Sequence, residues 1–486
     1  MTLIFSGNDY KYELEGVMKL FIPATLFTHV YADKIETEDD FVFAREKVCK
    51  KYTLLYVICK YKNKICRKSE RVENSLNKDK ELSLSRLLFK AMSEITGITP
   101  KWGVITGIRP VKRVNAFLKL GKSKEQVFEI LKNEYLCSEE KSEIAYETAC
   151  TQKRILDNLD ENSFSLYISI PFCPTRCSYC SFVSQSVESC MKLIPEYLDN
   201  LCREIKYTGE MVKKLGLKLD TVYFGGGTPT TLSAQQLEML MKVIEESFDM
   251  STVREYTIEA GRPDTITEEK LRTIRKNGCT RISINPQTLN DSVLEAIGRK
   301  HTVRQFFDSY EIAEKVGFDC INTDIIAGLP TDTVESFKNT VDKLIDLSPE
   351  NITVHTLSIK RAAKLNHSGD KKTVLENPAD KMVEYATKKL LKSGYKPYYL
   401  YRQKNMLENL ENIGWAKPGK ENLYNIYIME EVQTILAMGA GGSTKLVDIK
   451  GKRLERVFNY KFPLEYNKHF DLMISRKNEI EEFYVK

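Results

Sequence analysis

Three cysteines stand close together in the run Pro171-Phe172-Cys173-Pro174-Thr175-Arg176-Cys177-Ser178-Tyr179-Cys180. The CxxxCxxC spacing brings three thiolates toward one point on a single loop, and thiolates are the usual ligands of iron–sulfur clusters. Such a loop can wrap a 4Fe-4S cubane so that three irons take sulfur from Cys173, Cys177 and Cys180. The fourth iron is then left open as a reaction site. Zinc is the competing reading, but structural zinc closes with four ligands, and neither a fourth cysteine nor a histidine lies nearby. Cys49, Cys59, Cys66, Cys137, Cys150, Cys190, Cys202, Cys279 and Cys320 are scattered and read as small buried apolar side chains.

A second chemical feature is the run Gly225-Gly226-Gly227-Thr228-Pro229-Thr230. Consecutive glycines let a ligand approach the backbone and expose amides to a carboxylate, although a tight strand-to-helix turn gives the same pattern. Glu259, Asn285, Gln287, Arg299 and Asp324 are polar residues at or near otherwise apolar runs. A strand interior is an expensive place for the Asp324 carboxylate unless something binds it. A ribose diol, a cation, or an ion pair with Arg299 or Arg281 would serve. Arg281 reads as a residue that orients others, and Gly328-Leu329-Pro330 as a turn.

The elements that must position these groups are legible as alternation. Six β-rich runs (Leu166–Ile170, Thr221–Phe224, Tyr256–Ala260, Arg281–Asn285, Ile321–Ile326 and Ile352–Thr356) are interleaved with amphipathic stretches. Those stretches are Ile194–Leu215, Ser233–Phe248, Thr267–Asn277, Val303–Val316 and Thr333–Leu347. Six right-handed βα crossovers in series curl into a partial (β/α)6 TIM-like barrel, with the site at the C-terminal ends of its strands. The expected division is an N-terminal α+β module over 1–100, a helical linker over 101–160, the barrel over 161–360 and a mainly helical C-terminal domain over 361–486. The module carries alternating runs at Lys11–Ile22 and Tyr52–Tyr61, then a charged segment, Lys68–Lys80. The linker carries helices at Lys112–Leu120, Lys124–Leu131 and Ser138–Ile155. The last part carries helices at Pro378–Ser393 and Leu423–Leu436, a glycine cluster at Gly439, Gly441 and Gly442, and a polar helix.

Composition narrows the class. Over 486 residues, 42% hydrophobic and 29% charged is a globular balance, and no stretch approaches the roughly 18 apolar residues of a membrane span. The first residues lack a basic start and a long apolar run, so no export signal is expected and the location is read as cytoplasmic. There, thiols stay reduced and are free or metal-bound. A net charge of +6 without a long single-sign tract argues against nucleic acid as partner.

With these residues in place, the chain resembles the radical S-adenosylmethionine (SAM) superfamily, and within it the oxygen-independent coproporphyrinogen III oxidase family. The resemblance is carried by Leu166–Cys173, the GGGTPT turn, Ile297–Thr302 and Asp324–Pro330. Trp102–Lys112 and Leu423–Glu431 look like the HemZ branch. It implies a radical SAM barrel whose cofactors are a 4Fe-4S cluster on Cys173, Cys177 and Cys180 and S-adenosylmethionine at Tyr167, Gly226 and Glu259. A second cofactor molecule is implied at Tyr179, Gly227, Thr228, Gln287, Arg299 and Asp324, with Gly225 in the same glycine run.

The reaction implied is loss of two propionate carboxylates from coproporphyrinogen III to give protoporphyrinogen IX in haem biosynthesis. Hydrogen is abstracted from each propionate β-carbon by the radical that reductive cleavage of SAM supplies, carbon dioxide leaves, and a final electron is removed. The partners implied are a tetrapyrrole and an electron donor of flavodoxin or ferredoxin type. Two departures stand out: the oxidases continue to a fourth cysteine where this chain has Phe182, and carry a histidine at Ser169. A haem-delivering chaperone and a radical enzyme that modifies haem are therefore alternatives, with His29, His355 and His367 as the histidines to consider for haem. Arg262, Lys300, Lys360 and Arg361 are expected to line an entrance for propionates, unless they are ordinary surface charges.

Overall fold

The computed structural model describes residues 1–23, 25–75, 79–180, 184–358, 378–403, 406–448, 450 and 452–485. Two compact units result: residues 1–149 with 401–409, and residues 150–400 with 410–486.

The first unit is built on a five-stranded sheet in the order Thr28–Tyr31, Thr2–Ser6, Phe41–Val48, Tyr52–Tyr61, Lys64–Glu73. Tyr52–Tyr61 alternates as expected, burying Thr53, Leu55, Val57 and Cys59. Lys11–Ile22 does not form a strand. Its apolar residues satisfy both periods, and they form the helix Lys11–Phe21, which buries Leu14, Val17, Met18 and Phe21 on one face. Much of the charged segment pairs instead: Lys64–Glu73 alternates and forms an antiparallel hairpin with Tyr52–Tyr61. The helix Lys80–Thr96 is capped by Asp79, whose side chain accepts from the Leu82 amide. Helices follow at Val111–Lys119, Lys124–Asn133 and Glu139–Leu156.

The second unit holds the barrel. Its strands are β1 (Ser163–Ile170), β2 (Lys218–Gly226), β3 (Glu255–Glu259), β4 (Arg281–Ser283), β5 (Cys320–Ala327) and β6 (Asn351–Thr356), each parallel to the next. Helices α1 (Ile194–Leu215), α2 (Ala234–Ser247), α3 (Glu268–Lys276), α4 (Val303–Val316) and α5 (Val334–Leu347) alternate with them. Helix starts follow capping chemistry: Ser233 with Gln236, and Thr302 with Gln305, form reciprocal capping boxes. Strand β1 alternates: Phe164, Leu166, Ile168 and Ile170 are buried on one face, and Ser163, Ser165, Tyr167 and Ser169 occupy the other.

After the barrel comes a region with more helix than strand that also extends the same sheet. Its elements are α6 (Ala379–Lys392), β7 (Lys396–Tyr401), β8 (Asn412–Ala416), α7 (Leu423–Glu430), β9 (Thr434–Met438), β10 (Ser443–Asp448) and β11 (Arg453–Phe458). The sheet order is β7-β8-β6-β5-β4-β3-β2-β1-β9-β10-β11. The expected helix over Leu423–Leu436 therefore stops at Glu430. Glu431 adopts φ 54°, and the apolar run beyond it becomes β9, a parallel neighbour of β1. Three short helices, Pro463–Lys468, Phe470–Arg476 and Asn478–Val485, end the chain. They are tied to α1 by a buried pair: Lys477 Nζ lies 2.9 Å from Glu204 Oε1. Tyr466 and Asn459 side chains and the Gly439 amide also donate to Glu204, so the buried carboxylate is fully partnered.

Candidate active site

The cysteine loop leaves the C-terminal end of β1 and is laced to the strands beside it. Amides of Gly227 and Thr228 donate to the carbonyls of Ile170 at 2.8 Å and Phe172 at 2.7 Å. Gly227 is glycine for a steric reason, since a Cβ there would lie 2.5 Å from the Phe172 carbonyl oxygen. Gly226 holds φ +106°, a left-handed backbone that side chains rarely adopt. Gly225 packs against the rings of Tyr167 and Tyr223. The Gly227 amide, which the glycine run offered to a carboxylate, instead binds the end of β1, and the Thr228 amide binds the cysteine segment. The Thr228 hydroxyl adds a hydrogen bond to Cys173 Sγ at 3.5 Å.

Further along the loop, the Thr175 hydroxyl donates to the Gly298 carbonyl at 3.3 Å and the Ser178 amide to the Ile297 carbonyl at 3.0 Å. Burial pushes the Cys173 thiol up, opposed by hydrogen bonds from Thr228 and Ser184 and by the Arg262 charge. The sulfurs do not close on a single ion: among the described residues, no three His, Cys, Asp or Glu side chains are grouped to hold one. A cubane makes no such demand, because each cysteine binds a different iron at a different corner. Donors suited to a ligand are also present. Arg299 Nε and Ser178 Oγ are buried with no hydrogen-bond partner among the described residues. The residues fit the cluster.

Arg299 itself donates through Nη1 to the carbonyls of Gly261 at 3.0 Å and Asn285 at 2.8 Å, and lies beside Tyr179 and Cys177. It thereby links the cysteine loop to a second polar group at the strand ends. There Tyr167 and Tyr223, register partners on β1 and β2, stack with centroids 6.2 Å apart. Tyr424 from α7 stacks on both, 4.4 Å from Tyr223 and 6.1 Å from Tyr167. The Tyr223 hydroxyl donates to Glu259 Oε1 at 2.5 Å. Burial, with Asp324 nearby, raises the Glu259 carboxyl to about 7 against the opposing influence of Tyr223 and His355. Burial alone would raise Asp324 too, but His355, Asn322 and Thr353 outweigh it and hold that carboxyl below its usual range. His355 Nε2 is 3.7 Å from Asp324 Oδ2, and Asn322 Nδ2 donates to Oδ1 at 2.9 Å.

Neither arginine suggested by the sequence is the partner of Asp324. Arg281 instead orients Cys320, Asn351 and Glu255, as a structural arginine would. Gln287 is fixed through its backbone at φ 66°, its amide donating to the Asp324 carbonyl at 2.9 Å. Arg262 is no entrance cation. It is buried because a fork on Asp264 compensates its charge. Lys300 is exposed, and Lys360, Arg361, Phe182 and His367 lie outside the described residues. Sequence reading missed Tyr223 and Tyr424, and it weighed His355 only as a haem ligand. The signal for Tyr223 was its place opposite Tyr167 once the first two strands are aligned.

The Glu259 environment makes a testable prediction. Its carboxyl titrates above the usual 4.5, so the folded chain holds the extra proton. That stabilisation is complete below pH 4.5 and is lost as pH rises to about 7. Thermal midpoints of cofactor-free wild type should fall across this window relative to Glu259→Gln, whose side chain does not titrate. Parallel curves would contradict the assignment.

Fold and cysteine loop together define a radical SAM protein, and the model of the radical SAM superfamily matches residues 167–344. An oxygen-independent coproporphyrinogen-III oxidase-like protein, HemZ, from Bacillus subtilis is 40% identical over 86% of this chain and 84% of its own length. The haem chaperone HemW of Lactococcus lactis is 33% identical over 65% of this chain and 79% of that protein. A solved structure of the coproporphyrinogen III oxidase HemN of Escherichia coli shares the fold, with a TM-score of 0.52 and 24% identity over 67% of this chain and 73% of that one. The chain thus belongs to the oxygen-independent coproporphyrinogen-III oxidase-like family of radical SAM proteins, in the HemZ branch. The cofactors of that superfamily are a 4Fe-4S cluster and S-adenosylmethionine. No helix among the described residues is long and apolar enough to cross a membrane.

Proposed function

We propose that this protein carries out the oxidative decarboxylation of coproporphyrinogen III to protoporphyrinogen IX without oxygen. Cys173, Cys177 and Cys180 would hold the cluster, and Tyr167, Glu259 and Asp324 the S-adenosylmethionine, with Tyr179, Gln287 and Arg299 around them. Bound there, the two cofactors supply the hydrogen abstraction that begins the loss of carbon dioxide from each propionate. The protein's part is to orient the reactants and exclude water. The observation that carries this reading is the half-buried constellation of Glu259–Tyr223 and Asp324–His355 beside three stacked tyrosines, joined to the cysteine loop through Arg299.

Haem delivery is the second reading, supported by Phe182 at the place of a fourth cysteine and by the likeness to HemW. Of the histidines considered for haem, His29 Nε2 lies 2.7 Å from Glu15 and His355 Nε2 lies 3.7 Å from Asp324, pairings through one ring nitrogen that leave the other for a metal. Ser169, where the oxidases carry histidine, donates to the Ala440 carbonyl at 2.7 Å and belongs to the packing of the C-terminal region. Reduced, reconstituted protein incubated anaerobically with coproporphyrinogen III and S-adenosylmethionine should yield product lighter by two carboxyl groups and two hydrogen atoms, with a flavodoxin or ferredoxin able to replace a chemical reductant. Untouched coproporphyrinogen together with stoichiometric haem binding would favour delivery.

A further inference from the structure

Arg262 is 2% exposed, a costly place for a charge without partners. Its guanidinium is shared between two sets of them. Nε and Nη2 form a fork on Asp264, 2.9 Å from Oδ1 and 2.8 Å from Oδ2. Nη1 donates to the Thr175 carbonyl at 3.2 Å, to the Thr175 hydroxyl at 3.1 Å and to Cys177 Sγ at 3.9 Å. One side chain therefore both grips the turn between the first two cysteines and presents its cationic edge to a sulfur, with its carboxylate partner bound along a different edge.

We propose that Arg262 and Asp264 form an oriented charge pair, positive toward Cys177, that raises the reduction potential of the cluster, and that Arg262 also positions the Cys173–Cys177 turn. The inference rests on the reading of Cys173, Cys177 and Cys180 as the cluster's ligands. Reduction delivers one electron from an external one-electron donor to the cluster and makes the site more negative. A cation beside a ligand sulfur favours that state, and the effect is strong where water is excluded. Potentials of iron–sulfur centres follow local charge and hydrogen bonds to sulfur, which are the two things Arg262 supplies. Arg299, also beside Cys177, adds to the same field. His301, near both Arg262 and Asp264, stays neutral because burial and the arginines hold it down to about 3.

The test is a redox titration of the reconstituted cluster, followed by electron paramagnetic resonance without S-adenosylmethionine, on chains whose iron and sulfide have been counted. At a fixed applied potential, Arg262→Gln should lower the ratio of reduced to oxidised cluster about tenfold, equivalent to 59 mV for a one-electron couple. Asp264→Asn should raise that ratio by a similar factor, and Arg262→Lys, which keeps the charge but cannot form the fork, should stay near wild type. Both neutral variants break the same ion pair, so a purely supporting role predicts no opposition between them. Shifts of one sign, or none in chains with full iron, would overturn the proposal. If Arg262→Gln takes up too little iron to titrate, an unchanged potential in fully loaded Asp264→Asn overturns it equally. Failure of the ligand reading is seen separately, as a full cluster surviving in Cys177→Ala.

Discussion

Alanine at Cys173, Cys177 or Cys180 should abolish the visible absorbance of the reconstituted cluster and bring iron and sulfide per chain close to zero. Cys190→Ala and Cys202→Ala should leave both unchanged. Cys190 is the demanding control. It is buried, and its thiol donates to Gln185, which pairs with the start of the cysteine loop. Proximity alone would thus make it a candidate, whereas only the other three share one loop with the spacing a cubane needs. Iron and sulfide counted after anaerobic reconstitution decide the matter, and a full cluster in any of the first three variants contradicts the assignment.

Much of this site was readable from residue order because barrel chemistry is local. Each βα unit announces itself by a short apolar run, a turn and a capped amphipathic helix, and the polar residues at the ends of those runs fall at one face of the sheet. Ser233 and Thr302 mark their helices to within a residue. Less legible were features decided by distant parts of the chain. The run after Glu430 is apolar in either period, and only its pairing with β1 makes it a strand. Lys11–Phe21 alternates on paper, yet packing against the helix Lys80–Thr96, where Phe21 meets Phe89, selects its helical face. Asp324 was recognised as needing a partner, but His355 lies 31 residues further along the chain on the neighbouring strand, where the register sets Asp324 opposite Thr353 and the Thr353 hydroxyl donates to Asn322. Arg262 looked like a surface cation because its carboxylate partner, two residues on, cannot by itself signal burial.

Glu259→Gln and Asp324→Asn should each weaken S-adenosylmethionine binding tenfold to a hundredfold. The expectation follows from removing one charged hydrogen-bond acceptor from a half-buried site, a loss of about 1.5–3 kcal/mol. Glu259 is held by Tyr223 and Asp324 by His355 and Asn322, so each carboxylate is already aimed before cofactor arrives. Equilibrium binding to cluster-loaded protein, set beside thermal stability of the same samples, separates the two roles these groups could have. Weaker binding without a lower thermal midpoint supports cofactor contact. Unchanged binding with a lower thermal midpoint would make them structural.

The most direct measurement follows hydrogen. Coproporphyrinogen III deuterated at the propionate β-carbons, incubated anaerobically with the reduced, cluster-loaded protein and S-adenosylmethionine, should be consumed while deuterium appears in 5′-deoxyadenosine. Recovery of the deuterated porphyrinogen intact, with unlabelled 5′-deoxyadenosine or none at all, would contradict the proposed decarboxylation.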